Sequence, residues 1–122
     1  MANELELTAT LKYNKGGVTE EVSVSSKLDV SGDLVTQTVQ DIGTVVEAID
    51  LASMTAPGVI IVENLDATNY VEMRRTTSDD HIIKIRPKSF AGPLELANTT
   101  GAAPALQANT AACKVRITII EK

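Results

Sequence analysis

GVIIVENLDATNYVEMRR, residues 58–75, decides the fold. Val59, Ile60, Ile61 and Val62 form a continuous β-branched run. Both side-chain directions of that run are apolar, which suits a strand covered on both faces. Residues 64–69, Asn-Leu-Asp-Ala-Thr-Asn, are dense in side chains that hydrogen-bond their own backbone and tolerate turns. Tyr70, Val71, Glu72 and Met73 then resume an extended pattern. The stretch reads as a central hairpin closed by an Asn/Asp turn.

Toward the N-terminus the alternation is cleaner. Leu5, Leu7, Ala9, Leu11 and Tyr13 share one face, with Glu6, Thr8, Thr10 and Lys12 on the other. That pattern predicts a half-buried strand. Asn14-Lys15-Gly16-Gly17 is a turn, with glycines free to take positive φ. Val18, Val22 and Val24 then face away from Thr19, Glu21, Ser23 and Ser25. Strands one and two make a hairpin with an apolar and a polar side.

Residues 34–42 are rich in Val and Thr but apolar on neither face throughout. Val35 and Val39 align, yet Gln37 and Asp41 share their face. This pattern predicts an exposed or edge strand, or one in a subunit contact. Gly43 marks a bulge or bend. Residues 44–51 follow as strand, their Thr and Val content outweighing a short helix.

Beyond the central stretch, Ser78-Asp79-Asp80 is a turn. Ile83 and Ile85 alternate with Lys84 and Arg86, and Pro87 ends that strand's ladder. Phe90-Ala91-Gly92-Pro93 reads as a turn, and Leu94-Glu95-Leu96 as a short strand. Residues 98–104, with Gly101 and Pro104, read as the surface loop of the chain. Leu106-Gln107-Ala108 reads as a brief strand. Cys113, Val115, Ile117 and Ile119 alternate with Lys114, Arg116 and Thr118 in a last strand.

Turn signals recur about every 8–12 residues, and no long amphipathic helix is written in the chain. The expected fold is all-β: one domain over residues 1–122, an antiparallel β-sandwich or jelly-roll-like barrel of about nine short strands.

A chain of 122 residues can bury one modest core. One Phe, two Tyr and no Trp make that core aliphatic. Few rings also argue against base-stacking or sugar-binding surfaces. The net charge of −5 argues against nucleic-acid binding, which needs a basic footprint. The charge is uneven. Residues 1–66 hold 3 Lys/Arg against 11 Asp/Glu, a net −8, and residues 67–122 hold 8 against 5, a net +3. Either strands from the two halves interleave and neutralise each other, or complementary patches guide assembly. The single cysteine, Cys113, forms no intrachain disulfide. No apolar run approaches a membrane span. No positive-then-apolar leader precedes Asn3-Glu4, so folding in a reducing cytoplasm is expected.

Chemistry-bearing motifs are absent. His81, beside Asp79 and Asp80, lacks the three or four converging ligands of a metal site. There is no Gly-x-Ser-x-Gly elbow, no Walker loop and no Gly-x-Gly-x-x-Gly. Cys113 with one His81 is no nucleophile signature. No catalytic residue, metal or cofactor is expected. Arg74, Arg75, Lys84, Arg86 and Lys88 come near one another if residues 70–75 and 81–86 pair. They then form either an ion-paired sheet face, a subunit contact or a phosphate patch.

The central residues 58–72 are similar to a stretch in small β-rich structural proteins of tailed bacteriophages, and the likeness extends over residues 42–122. It includes residues 83–87 and Ala108-Asn109-Thr110-Ala111-Ala112-Cys113 before an Ile-rich strand. The resemblance implies a non-enzymatic virion component made in the host cytoplasm. It does not decide between head and tail; taken together with a compact, aliphatic, acidic chain without disulfides, it makes the first assignment a capsid decoration (cement) protein bound to the major capsid protein of the head shell. A tail, baseplate or fibre-associated protein is the alternative, and a host-surface or glycan-binding module the third. The expected partners are virion proteins and further copies of the chain, a trimer by preference, with neither nucleic acid nor membrane. The candidate assembly contacts are Leu34, Thr36, Thr38, Gln40, Arg74, Arg75, Lys84 and Arg86.

Overall fold

The structure, a computed structural model, describes residues 4–30, 32, 34–51, 57–78, 80, 83–96 and 103–121. The chain divides into two compact units, Met1–Ser31 and Gly32–Lys122.

The first unit is a two-stranded ribbon of β1 (Leu5–Lys15) and β2 (Val18–Leu28). The strands pair without interruption from Leu5↔Leu28 to Lys15↔Val18. Gly16 and Gly17 close the ribbon at φ of 61° and 81°. Positive φ at both central residues matches the right-handed twist of the flanking strands, and glycine adopts it at no steric cost. The two-sided pattern read from the sequence is present, but the apolar side is half-buried only at Leu5, Leu7 and Leu28. Leu11 is 63% exposed, and Tyr13, Val18, Val22 and Val24 are exposed as well.

The second unit carries eight strands: β3 (Val35–Ile42), β4 (Glu47–Ala48), β5 (Pro57–Asn64), β6 (Val71–Arg74), β7 (Ile83–Ile85), β8 (Phe90–Glu95), β9 (Ala105–Ala108) and β10 (Cys113–Glu121). They form two four-stranded antiparallel sheets, ordered β3-β10-β5-β8 and β4-β9-β6-β7. Apart from the β6–β7 hairpin, successive strands alternate between the sheets. This is the strand order of a double-sheet jelly roll. The all-β expectation holds, as a sandwich and not a closed barrel. Ten strands form among the described residues, against about nine expected.

The core lies between the two sheets. Ile60, Val62, Val115, Ile117 and Ile119 line it from one side, and Val71, Met73, Ile85, Leu106 and Ala108 from the other. Each buried Val, Leu, Ile or Met side chain contributes about 1.5–3 kcal/mol. Strand β10 is the spine, because Ile117 sits between Thr38 and Val62, and Ile119 between Thr36 and Ile60.

The central stretch departs from its reading. Strands β5 and β6 do not pair; they belong to opposite sheets. The run 59–62 takes neighbours on both edges, β10 and β8, so no place beside it is left for β6. Residues 65–70 cross from one sheet to the other, and Asn64 holds the crossing. Its side chain is 1% exposed, and its Nδ2 donates to the carbonyls of Asn69 (2.9 Å) and Ile85 (3.1 Å). Its Oδ1 accepts the Asp66 N–H at 3.0 Å. Asp66 Oδ2 then accepts the N–H groups of Thr68 and Asn69.

A second departure lies at residues 90–93, expected as a turn and found inside β8. The register between β5 and β8 shifts between Ile60 and Val62, with Gly92 at φ 114° against the Ile60 carbonyl. The bulge absorbs the Gly-Pro pair without ending the strand. Residues 44–51 contribute only the two-residue β4 and no helix.

Candidate functional site

Strand β3 lies at the edge of its sheet, as its mixed pattern predicts. Its direction is set by Ile42, which is fully buried. Period-two alternation then turns Thr36, Thr38 and Gln40 to the same side, where they are half-buried. Val35, Gln37, Val39 and Asp41 face outward, Val35 at 66% and Val39 at 55% exposure. Of the expected contacts on this strand, only Leu34 is an exposed apolar side chain. The outward valines carry the apolar surface, and the Val35–Val39 alignment was the signal for them.

Gln40 is committed to its own chain. Its Nε2 donates to the Ala48 carbonyl at 3.2 Å, and its Oε1 accepts the Asp50 N–H at 3.0 Å. It ties the β3 edge of one sheet to the β4 edge of the other. The Oγ1 of Thr36 is buried and has no hydrogen-bond partner.

Strands β6 and β7 pair as the charge argument required, with Val71↔Ile85 and Glu72↔Lys84. The outcome is a mixed sheet face. Lys84 stands opposite Glu72, which is itself opposite Gln107. Lys84 Nζ lies 4.1 Å from the Tyr70 ring centroid, a cation–π contact. Arg74 Nη2 donates to Gln107 Oε1 at 3.0 Å. Arg75 and Arg86 are exposed, and Lys88 donates through Nζ to the Leu65 carbonyl at 2.8 Å. Arg74 and Lys84 are thus engaged within the sheet and do not converge on a common point.

The opposite charges of the chain's two halves meet across the other sheet. Lys114 bonds Asp41 at 3.1 Å and Arg116 bonds Glu63 at 3.3 Å. Both pairs are partly or largely solvated, so each is worth about 0–1 kcal/mol.

His81 and Asp79 lie outside the described residues, as do 98–102 of the expected loop. Pro104 is half-buried, and its carbonyl accepts the Ile49 N–H at 2.9 Å. Among the described residues no group of three or more His, Cys, Asp or Glu is gathered to hold a metal ion. No helix among them is long and apolar enough to cross a membrane, which says nothing of a β-barrel. Cys113 is buried, and burial pushes its thiol pKa up, with the Asp66 carboxylate adding to the effect. A raised pKa leaves little thiolate, the opposite of an activated nucleophile.

The ribbon adds a second surface. Its apolar face carries Leu5, Leu7, Ala9, Leu11 and Tyr13 opposite Leu28, Ser26, Val24, Val22 and Glu20. A two-stranded ribbon is marginally stable in water by itself, and an exposed apolar stripe marks an interaction site. Compared with known proteins, the chain matches no family, no curated protein and no solved structure.

Proposed function

We propose that this chain is a non-enzymatic structural protein of a tailed-bacteriophage virion, a decoration protein that binds and stabilises the assembled head shell. The observation that carries the reading is the amphipathic ribbon. Its polar face pairs Glu6 with Lys27, Thr8 with Ser25, Thr10 with Ser23 and Lys12 with Glu21, while its other face is mostly apolar and is exposed at Leu11, Tyr13, Val22 and Val24. That surface suits burial against another protein. The jelly-roll strand order supports it, an arrangement that recurs in viral capsid domains and in lectins and cupins too; the phage setting is taken from the resemblance read in the sequence of residues 42–122. One fold hosts many functions, so the exposed surfaces carry the assignment.

In this reading the ribbon and the exposed β3 edge supply the contacts, and the major capsid protein and further copies of the chain are the partners. The test is co-sedimentation of the purified protein with empty head shells of the phage that encodes it, at low and at high salt. Saturable binding in both conditions is expected. Onset should be slower at about 1 M salt, where the Debye length falls to about 3 Å. A protein that never co-sediments would remove the decoration reading and leave the tail-associated reading ahead.

A further inference from the structure

The outer edge of β3 has a property that its place in the sheet makes functional. The Leu34 carbonyl accepts the Glu121 N–H at 2.8 Å, so Leu34 and Glu121 form a hydrogen-bonded pair of the antiparallel ladder. Pairing alternates along such a ladder. Thr36, Thr38 and Gln40 therefore point their backbone groups at β10, and Val35, Gln37 and Val39 point theirs away from the sheet. Edges of this kind are normally blunted by Lys, Pro, a bulge or shortness. Strand β3 has no Lys, Pro or bulge, and its one charged side chain, Asp41, lies near its end and is paired with Lys114. It runs Val-Thr-Gln-Thr-Val-Gln-Asp-Ile over eight residues, and its register with β10 is unbroken.

Residues 35–39 also read the same in both directions: Val-Thr-Gln-Thr-Val. An antiparallel pair of identical strands is related by a two-fold axis. Placing that axis at Gln37 sets Val35 opposite Val39, Thr36 opposite Thr38, and Gln37 opposite itself. In this register the outward backbone groups of Val35, Gln37 and Val39 meet their counterparts and close about six hydrogen bonds. Each exposed valine gains an aliphatic cross-strand neighbour. The Thr36 hydroxyl, without a partner in its own chain, gains a threonine alongside. Shifting the axis to Thr38 would set Val35 against Asp41, an apolar side chain against a carboxylate. The palindrome selects the Gln37 axis.

We propose that β3 is a homodimerisation strand: two copies of this chain pair antiparallel along residues 35–39, joining two four-stranded sheets into one of eight. The inference deepens the assembly reading by naming the partner strand, and rests on it only in that the chain works in several copies. The two-fold pairing makes a dimer the elementary unit where the sequence favoured a trimer.

The register is tested by single cysteines in the full chain under mild oxidation. Across the axis the two Gln37 Cα atoms would lie about 5.5 Å apart, inside the range of about 4.4–6.8 Å that a disulfide spans. Gln37→Cys should cross-link to a covalent dimer. Val35→Cys alone and Val39→Cys alone should not, because each would face its own copy about 14 Å along the strand. A mixture of the two should form the heterodimer. Cys113 is buried and does not compete.

Sedimentation velocity gives the second readout. The parent chain should show a dimer at about 100 µM, an affinity ordinary for a small edge contact. Gln37→Pro removes an outward donor and leaves the β10 ladder intact, and Val35→Lys/Val39→Lys keeps every backbone bond. Both should sediment as monomers at least tenfold higher in concentration, with parental circular dichroism. A parent monomeric at all concentrations, a dimer that survives both variants, or equal cross-linking at 35, 37 and 39 would overturn the proposal. Shell co-sedimentation of Gln37→Pro reports on the decoration reading separately, since a monomer can still occupy a shell site.

Discussion

Asn64 is the residue whose removal should be most costly per atom deleted. Asn64→Ala deletes three hydrogen bonds at once, to the carbonyls of Asn69 and Ile85 and from the Asp66 N–H. At a net value near 1 kcal/mol each, the loss is about 3 kcal/mol, before any cost of leaving the buried partners unsatisfied. A domain of this size loses about 4–8 °C of melting temperature per kcal/mol, so Tm should fall by about 15 °C. Asn64→Asp is the sharper perturbation, because it keeps the shape. Its ionised carboxylate has no proton to donate and faces two carbonyl oxygens. It should melt below Asn64→Ala at neutral pH and recover relative to wild type at acid pH, where a protonated acid donates one hydrogen bond. Thermal unfolding by far-ultraviolet circular dichroism measures both. If Asn64→Ala melts within about 3 °C of the parent, or the Asp variant outlasts it at neutral pH, Asn64 does not hold the crossing between the sheets.

Two further outcomes follow from local geometry. A Cβ at Gly92 would stand 2.6 Å from the Ile60 carbonyl at a φ of 114°, so Gly92→Ala should cost about 3 kcal/mol or more. Gly43→Ala, whose Cβ would meet nothing closer than Glu47 Oε2 at 3.6 Å, should be tolerated, and equal chemical-denaturation midpoints for the two variants would contradict the bulge geometry. The Asn69 and Thr68 N–H groups hold the Asp66 carboxyl below the usual carboxylate range. A folded-state pKa below the unfolded one contributes stability at neutral pH that is lost as pH falls through the folded value. Asp66→Asn should therefore flatten the acid limb of the stability–pH curve and leave its slope above pH 6 unchanged; an unchanged acid limb would refute the assignment.

Strand after strand was legible in the chain because alternation is a local property. A residue's face in a strand depends only on its own parity, so β1, β2, β7 and β10 appear in the sequence much as they fold. The composition likewise foretold an aliphatic core, and Ile117 and Ile119 occupy it. The edge position of β3 was legible too, because a strand half covered needs only half an apolar pattern.

Partner choice was not legible, because it is not local. Residues 58–75 look like a hairpin since two strands flank a turn-rich segment, and nothing in those residues says that β8 and β10 take both edges of β5 first. The polar residues taken as a turn instead bridge two sheets, and Asn64 does so from inside the core, where only the fold supplies the Ile85 carbonyl it binds. The candidate contacts divided for the same reason. Parity along residues 34–42 could be counted, but which parity faces the core was set by Ile42 docking between the sheets, and that turned Thr36, Thr38 and Gln40 inward. The ribbon is the converse case: its apolar stripe is fully written in the sequence, and only the tertiary structure revealed that Leu11, Tyr13, Val22 and Val24 of that stripe are exposed.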